Sequence, residues 1–170
     1  MALDIEIVKD FVVESKSLIE EMMEILEKAE DDYSQVALLA TYGNLVDRIM
    51  GGAQSLAELS RDEHAVHMIA DYSALCKAVG YKTSQIEENE SFYNVCVGLL
   101  FDATETLEFL VDNIEKPPQR LRESITAAFI DRVRWVSHKF NEAYSMSVGT
   151  GDANSMAQAE IDSLLKKLGL

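Results

Sequence analysis

The sequence predicts an all-α protein, an antiparallel helical bundle, on three observations. Apolar residues recur at spacings of three and four through most of the chain, with acidic residues between them. Polar capping residues and a Lys116-Pro117-Pro118 stop punctuate these stretches. Only two prolines and eight glycines occur in 170 residues, which argues against long disordered tracts and leaves enough chain for one substantial core.

The first helix is predicted from about Asp4 to Glu30. Phe11, Leu18, Met22, Ile25 and Ala29 form its apolar stripe, and Glu14, Glu20, Glu21, Glu24 and Glu27 lie largely between them. Asp31-Asp32-Tyr33-Ser34 reads as a polar turn with capping residues, and the second helix runs from about Ser34 to Leu59. Ser60 followed by Glu63 has capping-box spacing, so a third helix is expected to start there, pass through Val66, Ile69, Ser73 and Cys76, and end at Gly80. The fourth opens either at Ser84 and Gln85 or after a loop through Asn89; Phe92, Cys96, Leu99, Ala103, Leu107, Leu110 and Ile114 are its buried stripe. Pro118 suits the first turn of the fifth, where its missing N–H is an orphan donor anyway. That helix continues through Leu121, Ile125, Ala128, Phe129, Arg132, Val136 and Phe140, with Arg134 and Trp135 at its edge.

From Ser145 the composition changes. Residues 1–145 are read as the bundle, 146–156 as a flexible linker of small, polar and glycine residues, and 157–170 as a C-terminal helix. Its apolar residues are Ile161, Leu164, Leu165 and Leu168. A helix of about three turns is marginal alone in water, so these side chains need a partner surface. That surface is either another protein or, if this is a sixth helix that packs back, the bundle itself.

The net charge of −15 argues against the basic footprint that a nucleic-acid or anionic-membrane partner requires and favours protein partners. Cys76 and Cys96 are too few for a disulfide framework and read as small buried hydrophobes in a reducing compartment. No apolar run approaches the roughly 20 residues that span a bilayer, and the N-terminus lacks a signal-peptide pattern, so a cytoplasmic protein is expected. No phosphate-cradling glycine motif and no zinc-spaced Cys or His pairs occur. His64 and His67 read as a solvent-facing or interfacial pair, and His138 as a group that caps carbonyls or meets acidic neighbours.

The second helix carries the chemically suggestive stripe. Steps of three and four place Asn44, Asp47, Gly51 and Gln54 on one face, against Leu39, Val46, Ile49, Met50, Ala53 and Leu56 on the other. Each interior glycine costs roughly 1 kcal/mol relative to Ala, so Gly51-Gly52 is expected to mark the close approach of another protein.

Phe11-Val12-Val13-Glu14-Ser15 through Leu26, the second-helix stripe, and Leu99-Leu100-Phe101-Asp102-Ala103 through Leu110 together resemble the histidine phosphotransfer (Hpt) domain family. The likeness is greatest to the domain at the front of the chemotaxis kinase CheA. The resemblance covers roughly residues 4–145 and implies a four-helix Hpt-like core plus a fifth helix. The family's motif is H-x-L-K-G-x-A, and the matching residues here are Asp47-Arg48-Ile49-Met50-Gly51-Gly52-Ala53. Asp47 replaces the phosphorylated histidine and Met50 the lysine, so phosphotransfer in the family's manner is excluded. The tail, Ala159 to Leu170, is similar to the C-terminal peptide of CheZ-type chemotaxis phosphatases, and its first half to the regulator-binding segment of the flagellar switch protein FliM. This resemblance implies that Ile161, Asp162, Leu164, Leu165 and Leu168 bind a CheY-type response regulator, with Gly51 and Gly52 marking a second contact on the bundle. It implies no cofactor held by the chain itself, Mg2+ being supplied by the partner's receiver domain.

Two function classes stay open. One is an aspartyl-phosphate phosphatase, which needs an acid to pair with the receiver's lysine and an amide to orient water in line. Asp47 with Asn44 or Gln54 are its candidates, although the order differs from the acid-then-amide spacing of the CheZ-like enzymes. Asp31 with Gln35 and Glu90 with Asn94 have such spacings at helix boundaries. The other class is a non-catalytic, degenerate phosphotransfer module that sequesters or localises the regulator, or competes with a kinase's own Hpt domain. A homodimer through Leu38, Leu45 or Trp135 is compatible with either.

Overall fold

The structure, a computed structural model, describes residues 3–61, 63–145 and 151–170 and is all-helical in those residues. Its helices are α1 (Ile5–Ala29), α2 (Leu38–Leu59), α3 (Ala65–Thr83), α4 (Glu90–Asp112), α5 (Pro118–Arg122), α6 (Ala127–Ser145) and α7 (Gly151–Lys167), with a short 3-10 turn at Tyr33–Gln35. Helices α1 to α4 close an up-down-up-down ring in which α1 touches α2 and α4, and α3 touches the same two. Helix α6 packs on α4, while α7 lies across α3 and α6.

Local chemistry sets the ends of these helices. Asp4 caps α1 by accepting from Glu6 N at 2.8 Å, and Asn89 caps α4 by accepting from Phe92 N at 3.1 Å. The loop alternative through Asn89 is therefore the one observed. The second helix starts later than expected, because Asp32 caps Ser34 and diverts the chain into the 3-10 turn before Leu38. The Ser60–Glu63 capping box does not form. Ser60 ends α2, its hydroxyl donating to Ala57 O at 3.2 Å, and the cap of α3 is His64, whose Nδ1 accepts from Val66 N at 3.1 Å. Burial lowers the His64 pKa from its ordinary 6.5, against an opposing pull from Glu115, which keeps that acceptor nitrogen unprotonated near neutrality. The expected fifth helix is two helices. Pro118 starts α5 as anticipated, but the chain turns at Glu123–Ser124 and restarts with Thr126 Oγ1 accepting from Phe129 N at 3.1 Å. Within α6, Arg132 faces solvent and pairs with Asp102, and Val133 takes the buried position.

Helix α3 does not stop at Gly80 but runs through it, because Gly80 is a packing residue. A Cβ there would stand 2.7 Å from Tyr42 Cδ1, and a Cβ at Gly43 would stand 2.7 Å from Tyr81 Cε1. Each helix thus presents a glycine to the other's tyrosine. This brings α2 and α3 together along their length, antiparallel, and α3 is buried on nearly every side. The Tyr42 hydroxyl is fully buried and meets Thr104 Oγ1 at 2.8 Å; Thr104 donates onward to Leu100 O, so Tyr42 is the donor to Thr104. Tyr72 donates to Ala103 O at 3.0 Å. Both phenols join α4 to the pair. At one end of the ring Tyr33 donates to Ile86 O at 2.6 Å and Tyr93 to Ala29 O at 2.8 Å, fastening the α3–α4 loop and the end of α1.

The C-terminal helix is not a free appendage. Of the expected linker 146–156, residues 146–150 lie outside the described residues, and residues 151–156 are already helical within α7. Ile161, Leu164, Leu165 and Leu168 are buried against the bundle, each such side chain contributing about 1.5–3 kcal/mol that the ordering of the helix partly offsets.

Two predictions follow from this packing. Gly51 has nothing within 4 Å of an added Cβ, whereas Gly80 meets a fully buried ring, so the two glycines respond oppositely to the same change. In urea unfolding, Gly51→Ala is expected to raise stability by up to about 1 kcal/mol, and Gly80→Ala to lower it by about 1–3 kcal/mol. Burial pushes the Cys76 and Cys96 thiols from 9.0 up to about 12. The folded state therefore holds these protons more tightly than the unfolded one; their contribution to stability is complete below pH 9.0 and is lost as the pH rises towards about 12. Labelling of both thiols at pH 8 is expected to track global unfolding in urea, and fast labelling of the folded chain would contradict this packing.

Candidate functional site

The stripe read from the second helix is exposed as expected: Asn44, Asp47, Gly51 and Gln54 all face solvent on α2. What surrounds it comes from α3. Lys77 Nζ donates to Asp47 Oδ1 at 2.6 Å, and the Tyr81 hydroxyl donates to Asn44 Oδ1. Lys77 also stands 6.0 Å from the centroid of the Tyr81 ring, so the four side chains form one continuous polar cluster across the two helices. Beneath it the Tyr81 ring covers Gly43. The absent Cβ at Gly43 is what lets Tyr81 lie flat enough for its hydroxyl to reach Asn44.

The cluster joins some of the expected residues and separates others. Asn44 and Asp47 are one turn apart and belong together. Gln54 lies seven residues beyond Asp47, about 10 Å along the axis at 1.5 Å per residue, and no side-chain hydrogen bond joins it to the cluster. Gln54 therefore stands on the same exposed face as Asp47 but two turns away from the polar cluster. Neither alternative acid–amide pair is posed for catalysis. Asp31 sits in a left-handed turn at φ 55°, off any helix face shared with Gln35, and the Asn94 Oδ1 is buried without a partner and turned away from solvent.

The two glycines have different explanations. A Cβ on Gly52 would come within 3.2 Å of the Phe11 ring, so this glycine admits α1 of the same chain and not another protein. Gly51 is open, its carbonyl accepting only from Ser55 Oγ at 3.0 Å among described side chains. Of these two glycines, Gly51 is the one that leaves bare backbone available to a docking partner. On either flank, Arg48 pairs with Glu14 at 3.3 Å, and the half-buried Leu45 and Met50 border the stripe.

The tail residues assigned to regulator binding are split. Ile161, Leu164, Leu165 and Leu168 are buried on the bundle, and Asp162 faces solvent. Among the dimer candidates, Trp135 is 48% exposed with its ring edge-on to Phe92, while Leu38 and Leu45 are half-buried. The histidines serve structure. His64 caps α3, His67 Nε2 lies 3.1 Å from Arg61 O and 3.0 Å from Ser60 Oγ, and His138 pairs with Glu142 at 3.1 Å. No group of three or more His, Cys, Asp or Glu side chains that could hold a metal ion occurs among the described residues. Nor is any described helix long and apolar enough to cross a membrane.

Lys77 and Tyr81 were missing from the sequence-derived site. A signal for them existed: Asp47 and Lys77 lie equally far on either side of position 62, as do Gly43 and Tyr81, which is the mirror relation of an antiparallel helix pair joined by a tight turn. Comparison of the chain with protein-family models, curated proteins and solved structures finds no match in any of the three. The reading of the site therefore rests on its geometry and on the resemblance of its motifs.

The Asp47–Lys77 pair is part-exposed, with 49% and 31% of the side chains accessible. A double-mutant cycle with Asp47→Ala and Lys77→Ala is expected to give a coupling of about 0.2–1 kcal/mol that shrinks in 1 M salt. A coupling that is zero at low salt would remove this pair from the site.

Proposed function

We propose that the chain is a regulatory module of two-component signalling that binds a phosphorylated CheY-type response regulator and does not itself carry a phosphoryl group. The observation that carries this reading is the exposed α2 stripe, with bare backbone at Gly51, at the place where the Hpt motif it resembles presents a histidine. A flat helix pair with a small-residue dip suits the approach of a second folded domain, and an aspartate at position 47 stands in place of the histidine through which the resembled family transfers phosphate. The receiver would bring its own Mg2+. The chain's acidity, −15 overall, supports a protein partner over a nucleic acid or an anionic membrane.

The reading favoured by the contacts is capture without catalysis. Asp47 is already paired with Lys77, and the Asn44 carbonyl oxygen already accepts from Tyr81. To take the lysine of a receiver Asp47 would have to give up its own, and Gln54 lies two turns away, outside the cluster. The second reading, accelerated loss of phosphate, is favoured by the one-turn separation of Asn44 and Asp47. In it, water attacks the phosphorus in line, the P–O bond to the receiver's aspartate breaks, and inorganic phosphate leaves; Asn44 orients the water and Asp47 exchanges Lys77 for the receiver's lysine.

One assay separates these readings. Phosphorylated CheY-type receiver is mixed with saturating protein, and both complex formation and phosphate loss are followed. Saturable binding with unchanged decay is the expected result, and deletion of residues 156–170 is expected to weaken that binding. Decay accelerated at least tenfold, and abolished in Asp47→Ala and Asn44→Ala, would establish the enzymatic reading instead. Absence of binding to both phosphorylated and unphosphorylated receiver would remove the regulator from the account.

A further inference from the structure

The tail side chains that a partner would have to read form the underside of α7. Ile161, Leu164, Leu165 and Leu168 are 1%, 7%, 1% and 1% exposed, seated on a bed made by α3 and α6. The outward face, with Asp162, Ser163, Lys166 and Lys167, is hydrophilic. Among the described side chains of α7, no large apolar one faces outward.

The seat is built on both sides. Arg122, at the end of α5, donates from Nε to Leu168 O at 2.9 Å and so takes up one of the carbonyls that a helix end leaves unpaired. Gly169 follows at φ 78°, and a Cβ there would approach Arg122 Nε to 3.2 Å, so the turn that closes α7 is shaped around the guanidinium. Opposite charges also face each other along α3. Glu160 lies near Lys82, towards the end of α3, and Lys167 lies near Asp71, towards its start. These two pairings order α7 antiparallel to α3. Both Lys82 and Asp71 are partly desolvated under it, Lys82 being pulled down and Asp71 pushed up by burial.

We propose that α7 is a self-covering latch: the bundle face of α3 and α6 and the receiver domain compete for one apolar stripe, Ile161, Leu164, Leu165 and Leu168, so that the free protein holds its own ligand segment closed. The inference rests on the receiver-binding reading and assigns that binding its regulation. A segment that cannot touch its bed and its partner at once has an apparent affinity reduced by the fraction of molecules in which it is released. Anything that loosens the seat without touching the stripe therefore tightens receiver binding. Release also turns the chain into a two-point binder, with the α2 stripe and the freed tail on one molecule, and linked contacts of this kind reinforce each other when the connection spans them.

The test uses the full chain and two variants on the bundle side of the seat. Arg122→Ala removes the donor to Leu168, and Asp71→Arg sets a like charge against Lys167; neither residue belongs to α7 or to the α2 stripe. Amide exchange of residues 161–168 is expected to become about tenfold faster in each variant while α2 and α4 keep their protection. Affinity for a CheY-type receiver activated with beryllofluoride is expected to tighten by a similar factor. Leu165→Ser, on the stripe itself, is expected to speed exchange and weaken binding. Unchanged exchange in both bundle-side variants overturns the latch, and so does faster exchange with unchanged or weaker affinity. Failure of every form, wild type included, to bind the receiver overturns the receiver-binding reading itself, an outcome distinct from the other two.

Discussion

The reciprocal seating of a tyrosine on a glycine between α2 and α3 is the contact on which the rest of the molecule depends. Tyr42 lies on Gly80 and Tyr81 on Gly43, which draws the two helix axes together and fixes their register to a single residue. A slip of one residue would drive a ring into a Cβ. Because Tyr42 is pulled fully inside, its hydroxyl needs a partner, and Thr104 on α4 supplies it. Through that bond the close pair determines where α4 stands, and α4 in turn carries α6. The register has a second consequence at the surface. With Gly43 opposite Tyr81, Asn44 falls within reach of the Tyr81 hydroxyl and Asp47 within reach of Lys77. One packing solution thus builds both the core and the polar cluster above it.

Most of the bundle was legible because its helices are amphipathic and their stops are chemical. The stripe of α4 from Phe92 to Ile114 is buried at every expected position, and Pro118 begins a helix, where its missing N–H is tolerated. The misreadings share a cause: local signals were outranked by tertiary ones. Gly80 looks like a terminator, yet its lack of a side chain is what Tyr42 needs, so the helix continues. Gly52 looks like a dip for a foreign partner, yet Phe11 of the same chain fills it. His64 displaced the Ser60–Glu63 box, since an imidazole nitrogen caps as well as a hydroxyl when burial keeps it neutral. In the site, the exposed stripe of α2 was readable from a period of 3.6. Lys77 and Tyr81 required the pairing of α2 with α3, which periodicity within one helix does not contain.

The tail illustrates a limit of amphipathicity as a signal. An apolar stripe on a short helix states that a complementary surface exists, not which molecule provides it. Here the surface in cis is α3 and α6, and the rim of Arg122, Lys82 and Asp71 makes it directional as well as apolar. A stripe suited to one apolar groove is suited in outline to another, because burial is non-directional. The discrimination between bed and partner must come from the rim, where hydrogen bonds and charges add direction.

The ion pair at Asp47 bears on how an acidic chain could meet a phosphorylated partner at all. A lone aspartate about 5 Å from a phosphoryl group would oppose it by about 3 kcal/mol for each unit of charge at an effective dielectric of 20. Such a site would repel the form of the regulator that it is proposed to bind. Lys77, 2.6 Å from Asp47, cancels that charge locally, and the remaining acidic residues act through solvent over distances at which physiological salt screens them. Loss of Lys77 would accordingly do more harm to the binding of a phosphorylated receiver than loss of Asp47, since the first leaves a bare anion on the docking face and the second leaves a cation. An aspartate at position 47 is compatible with the proposed binding of a phosphorylated regulator because α3 supplies the lysine, and α3 supplies it because Gly43 and Gly80 let the two helices close.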